Sequence, residues 1–186
     1  MRILTAVAAV GLGSAGLTGC AWGLRGSVDA QMLSSNRAVV LGTTTAVVGF
    51  ATTHGLRWRS RSSGLLATAS LATGADTSGD PVVAGVGGLE WFGVPEHENA
   101  RWGYHFGVEY GLRGGGYALR ELDFIVQTRG GPMFRLRDRE APEPLLTFGI
   151  DATLGMSVGL GDERGLGHSA GVALTVGFLR VGRFHL

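Results

Sequence analysis

The side chains of this 186-residue chain best suited to acid, base or metal chemistry are His105, Glu109, Glu121, Asp123 and Asp151, together with Arg25 and Arg113. They supply an imidazole and carboxylates for proton transfer or metal ligation, and guanidiniums for holding anions. No spacing of the H-E-x-x-H kind links them, so no metal site is assigned. Gly155-Met156-Ser157-Val158-Gly159 matches the pattern of a serine nucleophile, but that pattern works only where a strand turns sharply into a helix. Gly11 to Gly16 matches G-x-G-x-x-G, which needs a strand before it and a helix after it. Neither context is present, and no catalytic residue or cofactor is assigned. Arg57, Arg59 and Arg61, and again Arg135, Arg137 and Arg139, place guanidiniums on one side of extended segments. Such rows can grip lipid phosphates, including those of lipopolysaccharide, through paired hydrogen bonds, or simply form a solvated rim.

The elements that must carry these residues are strands. From Trp102 to Leu112 every even position is large and apolar, with Gly103, His105, Gly107, Glu109 and Gly111 between. A period of two puts one set on each face. The same alternation runs over 146–160, 170–178 and 22–32, and more weakly over 38–52, 63–72, 82–92 and 118–128. Eight strands are predicted, separated by turn-rich pieces at 34–36, 74–81, 93–100, 114–116, 129–144 and 161–167. Within 129–144, Met133 to Arg137 has the look of a short extra strand, broken by Pro142 and Pro144.

Glycine makes up 33 residues, while 45% of the chain is hydrophobic and only 17% charged. Disorder does not fit that balance. A glycine-rich, charge-poor chain with alternating segments points to an all-β fold, an antiparallel up-and-down β-barrel of about eight strands. The formal net charge of +1 gives no electrostatic reason for nucleic acid as a partner.

The chain opens with Met1 and Arg2, then an apolar stretch broken by Gly11, Gly13, Gly16 and Gly19. That is the order of a secretory signal, and it is too short for a spanning helix. It ends in Leu17-Thr18-Gly19-Cys20, which resembles the lipobox of bacterial lipoproteins. The resemblance implies a cleaved signal peptide at 1–19, a lipidated barrel domain at 20–186, and Cys20 as the acylated N-terminus, carrying palmitate-type chains. Ala21 in place of Asp implies sorting to the outer membrane of a Gram-negative envelope. Lipid A deacylases are also small barrels, with His and Ser two residues apart, whereas His168 and Ser169 are adjacent here.

Alternation alone fits two objects: a membrane barrel with its apolar face toward lipid, or a soluble barrel with that face inward around an apolar ligand. The opposite face is mostly Gly, Ser and Thr, which suits a narrow interior. There Arg25, His105, Glu109, Arg113, Glu121, Asp123 and Asp151 are expected to pair as an interior polar network, since buried charges must. Trp91, Trp102, Tyr104 and Tyr110 resemble an interfacial aromatic girdle. The reading is therefore a non-enzymatic outer-membrane lipoprotein, held by acylated Cys20 and its barrel wall, with a structural or adaptor role. A soluble lipid-tethered barrel and a lipid-modifying enzyme are the alternatives. One feature runs against the membrane reading: the connections at 53–62, 93–101 and 129–144 fall on the side of the N-terminus, where outer-membrane barrels keep short turns.

Overall fold

A computed structural model describes residues 17–34, 37–54, 61–94, 102–116, 121–136, 145–160 and 165–181. Eight strands follow in order: β1 (Leu17–Leu33), β2 (Ala38–His54), β3 (Arg61–Asp76), β4 (Pro81–Val94), β5 (Trp102–Gly115), β6 (Glu121–Leu136), β7 (Leu145–Gly159) and β8 (Leu166–Val181). Each pairs antiparallel with its sequence neighbour, and β1 pairs with β8 to close the barrel. The fold is the up-and-down barrel that the alternation predicts. The start of β1 and the finish of β8 lie at one end, called here the terminal end.

The register fixes the barrel's dimensions. From Ala21 the partners run Gly49, Leu66, Glu90, Gly107, Arg129, Thr153 and Gly171, returning to β1 at Gln31, ten residues further on. With a rise of about 3.3 Å per residue and strands about 4.8 Å apart, that stagger tilts the strands by roughly 40°. The backbone radius is then roughly 8 Å, so the interior is filled by side chains rather than by a channel.

Several boundaries differ from the sequence-based ones. β6 does not stop at residue 128 but runs on to Leu136, so Met133 to Leu136 is its last stretch and not an extra strand. Gly130-Gly131-Pro132 reads as a break, yet only one side of the ladder yields there. Pairing with β7 skips from Gly130↔Ala152 to Met133↔Gly149, while pairing with β5 continues through Tyr104↔Pro132. Proline lacks the donor for one ladder only, and the strand survives on the other. β3 likewise runs to Asp76, β5 to Gly115, and β8 begins at Leu166. At the terminal end the run of β6 to Leu136, with β2 reaching His54 and β4 Val94, shortens the connections to 55–60, 95–101 and 137–144, against 34–37, 77–80, 116–120 and 160–165 opposite. The disparity that argued against a membrane barrel is reduced, though the terminal-end connections are still the longer set.

Tight closure is written into glycine. A Cβ on inward-facing Gly131 would strike the carbonyl oxygen of Ile150 on β7, because the coiled wall brings the two backbones together there. Gly131→Ala should cost at least the 1–3 kcal/mol typical of overpacking, about a lower bound since the obstacle is backbone. Urea unfolding of the refolded barrel measures it, with Gly85→Ala as control because its Cβ would meet open space. Gly79 has φ 84°, and closes the 77–80 turn while Asp76 Oδ1 accepts from the amides of Ser78 and Asp80 at 2.8 and 2.9 Å.

The apolar face points outward. Trp102, Tyr104, Phe106, Val108, Tyr110 and Leu112 are all exposed, and His105 and Glu109 between them are buried. On β8 the outward row of Ala170, Val172, Leu174, Val176 and Phe178 lies between exposed His168 and Arg180. At this tilt each residue advances about 2.5 Å along the axis, so the row spans roughly 30 Å between its polar limits.

Candidate functional site: a charged core inside the barrel

The interior is layered. Nearest the terminal end, Ala21, Val47, Leu66, Phe92, Met133 and Leu179 meet in one apolar cluster drawn from six strands. Toward the other end Val39, Leu41, Ala72, Val82 and Ala84 cover the wall of β2, β3 and β4. Between them lies a charged layer, held in place by inward positions on seven strands.

Its contacts form a chain across the barrel. Arg25 Nη1 on β1 donates to Glu90 Oε2 on β4 at 2.6 Å. The other oxygen of Glu90 faces His105 Nδ1 on β5 at 3.4 Å, too long for a good hydrogen bond. His105 Nε2 meets Asp151 Oδ1 on β7 at 2.8 Å. Asp151 Oδ2 accepts from Arg129 Nε on β6 at 2.9 Å and from Thr175 Oγ1 on β8 at 2.7 Å. Arg129 Nη2 then donates to Asp29 Oδ1 at 2.7 Å and Ser27 Oγ at 2.9 Å, returning to β1, and Thr43 Oγ1 on β2 donates to Asp29 Oδ2 at 2.7 Å. Arg129 bonds two carboxylates at once, which its planar fork allows and an ammonium would not match. Asp151, with 1% of its surface exposed, has both oxygens engaged.

Of the residues singled out from sequence, Arg25, His105 and Asp151 meet in this layer. Glu109 lies beside it, accepting from Gln127 Nε2 at 2.8 Å. Arg113 and Asp123 form a separate pair at 2.7 Å nearer the opposite rim. Glu121 is not interior: it is exposed at that rim, bonded to Arg37 at 3.2 Å, because β6 begins there and its first residue stands above the packed layers. Arg57 and Arg59 lie outside the described residues, and Arg61 opens β3 opposite His54.

Glu90, Arg129 and Asp29 were missing from the sequence-derived set. Asp29 was findable, since it shares the polar face of β1 with Arg25. Glu90 was obscured because its inward neighbours Val82 and Ala84 are apolar, which blurs the period of β4. Arg129 fell in a stretch that reads as a connection.

The charged groups of the layer pair with one another inside the barrel, as buried ions must, while Arg25 Nη2, Glu90 Oε1 and His105 Nδ1 are buried without a hydrogen-bond partner. Among the described residues no group of His, Cys, Asp and Glu side chains is placed to hold a metal ion. Ser157 stands within β7, which continues straight to Gly159 with no nucleophile turn. His168 points outward while Ser169 turns inward, so that adjacent pair cannot act on one substrate. What the arrangement does chemically is tie seven strands together by ion pairs and hydrogen bonds.

No protein-family model matches the sequence, and the comparison with curated proteins found no match. Among solved structures the fold is similar to the crystal structure of Neisserial surface protein A (NspA), with a TM-score of 0.51 over 86% of this chain and 96% of that one. Sequence identity is 8%, so the likeness is one of fold.

Proposed function

We propose that this chain is an outer-membrane lipoprotein with a bilayer-embedded barrel, serving the envelope as a non-enzymatic structural or adaptor protein. The observation that carries the reading is the continuous outward band of large apolar side chains, from Trp22 and Phe50 round to Leu174 and Val176, on every strand. Its height of roughly 30 Å suits the apolar belt of about 25 Å that such barrels present to lipid. In water a patch of that size would drive association. The fold shared with a surface protein supports the same setting.

Lipidation belongs to this proposal. Cys20 is exposed, outward-facing, and paired with Phe50 near the terminal end of β1. After cleavage before Cys20 it becomes the first residue of β1, and acyl chains on its sulfur enter the bilayer along the outer wall. Two or more chains suffice for stable anchoring without the barrel, so barrel and anchor are separable by experiment. Cells expressing Cys20→Ser should still sediment the protein with membranes and release it only to detergent. Release into the soluble fraction would mean that the lipid alone held it. Mass spectrometry of the wild-type N-terminus should find acylated Cys20; an intact Met1 removes the lipoprotein part and leaves the barrel.

A further inference from the structure

The charged layer has a weak link. Arg25 is joined to Glu90 at 2.6 Å, and His105 to Asp151 at 2.8 Å, but these two pairs meet across the 3.4 Å between Glu90 Oε1 and His105 Nδ1. Three polar atoms without a hydrogen-bond partner in the protein gather at that link: Arg25 Nη2, Glu90 Oε1 and His105 Nδ1. A fourth, Thr68 Oγ1, stands beside it on β3. Leu66 pairs with Glu90, so Thr68, the next inward position along β3, is the diagonal neighbour of that carboxylate across the strand pair. All four residues are more than nine-tenths buried, with 4% to 7% of their surfaces exposed. The next inward positions on β4 and β5, Gly88 and Gly107, bring no side chain to cover the gap.

A buried donor or acceptor left unpaired carries its full desolvation cost, and four at one place call for a bound molecule that meets them. That molecule must accept from the guanidinium, donate to the carboxylate, exchange a hydrogen bond with the hydroxyl, and serve His105 Nδ1 in whichever role its tautomer sets. An anion would face the Glu90 carboxylate and a cation the Arg25 guanidinium, while a bore filled by side chains leaves no room for a long ligand. We propose that Arg25, Thr68, Glu90 and His105 form a buried water-binding site. A bound water makes about three hydrogen bonds, so about one or two molecules satisfy the four atoms. The water bridges Glu90 to His105, which makes the charged chain continuous, and it brings in β3, which has no part in the seven-strand chain of contacts. The site lies inside the wall and holds whether lipid or solvent surrounds the barrel.

Nuclear magnetic resonance on the isotope-labelled full chain, refolded into lipid vesicles, tests the site directly. Magnetisation from water protons should reach the side chains of Thr68 and His105 and not the methyl of Ala21, which is 0% exposed in the apolar cluster. Thr68→Val takes one partner from the water, so transfer to His105 should weaken. The folded-to-unfolded ratio in urea should also fall about fivefold, the worth of one typical hydrogen bond. Thr68→Ser keeps the hydroxyl and should keep the transfer. Without water the Thr68 hydroxyl is an unpaired buried group whose removal is neutral or stabilising. A Thr68→Val barrel as stable as the wild type, or more so, therefore overturns the proposal. Absence of transfer to either side chain in the wild type overturns it too, as does transfer of equal strength to Ala21. None of these outcomes bears on the outer wall, so the membrane reading stands or falls separately.

Discussion

Asp151→Ala should lower the stability of the barrel by about 3 to 5 kcal/mol, the cost of removing one partner from a buried ion pair. Its carboxylate receives Arg129, His105 and Thr175 from three other strands, so its loss takes one acceptor from the Arg129 guanidinium and leaves the His105 Nε2 and the Thr175 hydroxyl without theirs. Equilibrium urea unfolding in lipid vesicles measures the loss. Glu121→Gln at the exposed rim serves as the control and should fall within about 0.5 kcal/mol, as surface changes usually do. An Asp151→Ala variant as stable as the wild type would show that the charged layer does not hold the wall together. Asp151→Asn keeps the shape and one acceptor, and should lie between the two.

The second large effect is on the outer face. Val108 lies midway along the outward row of β5 and is exposed between buried Gly107 and Glu109. In a bilayer Val108→Arg should cost about 2 to 4 kcal/mol, as arginine does near the midplane of a barrel, and Phe106→Arg similarly. The same substitutions in detergent, where the micelle deforms around the charge, should cost less. Labelling gives an independent reading: in a Cys20→Ser background, single cysteines at 106 and 108 should react with a membrane-dissolved probe, and those at 107 and 109 should not. Reaction at 107 and 109 with protection at 106 and 108 would falsify the outward assignment, and the bilayer reading with it.

The fold was legible because it depends on a local signal. Alternation of Trp102 to Leu112, or of Leu146 to Leu160, fixes a strand and its two faces without reference to anything distant. Closure into a barrel followed from composition, since a chain with this much apolar surface and no long helix needs its edges paired. The strand ends were less legible. Gly130-Gly131-Pro132 has the residues of a turn, and only the partner strands, one accepting the missing donor and one avoiding it, decide that the strand continues.

By itself the sequence determined which residues share a face, that strands rather than helices carry them, and that a lone thiol follows an apolar N-terminal segment. Alternation did not say which face is the inside, because period two is the same read from either side, and the Gly, Ser and Thr of the polar face only favoured it as the interior. Tertiary structure decided that through a stagger of ten residues over eight strands, which sets a bore too narrow for Trp or Tyr rows and wide enough for paired charges. It also decided the partners within the charged layer. Arg25 and Glu90 are 65 positions apart, and Arg129 and Asp29 100 apart. No local pattern encodes such pairs, because which inward residues share a level depends on the accumulated register of every strand between them.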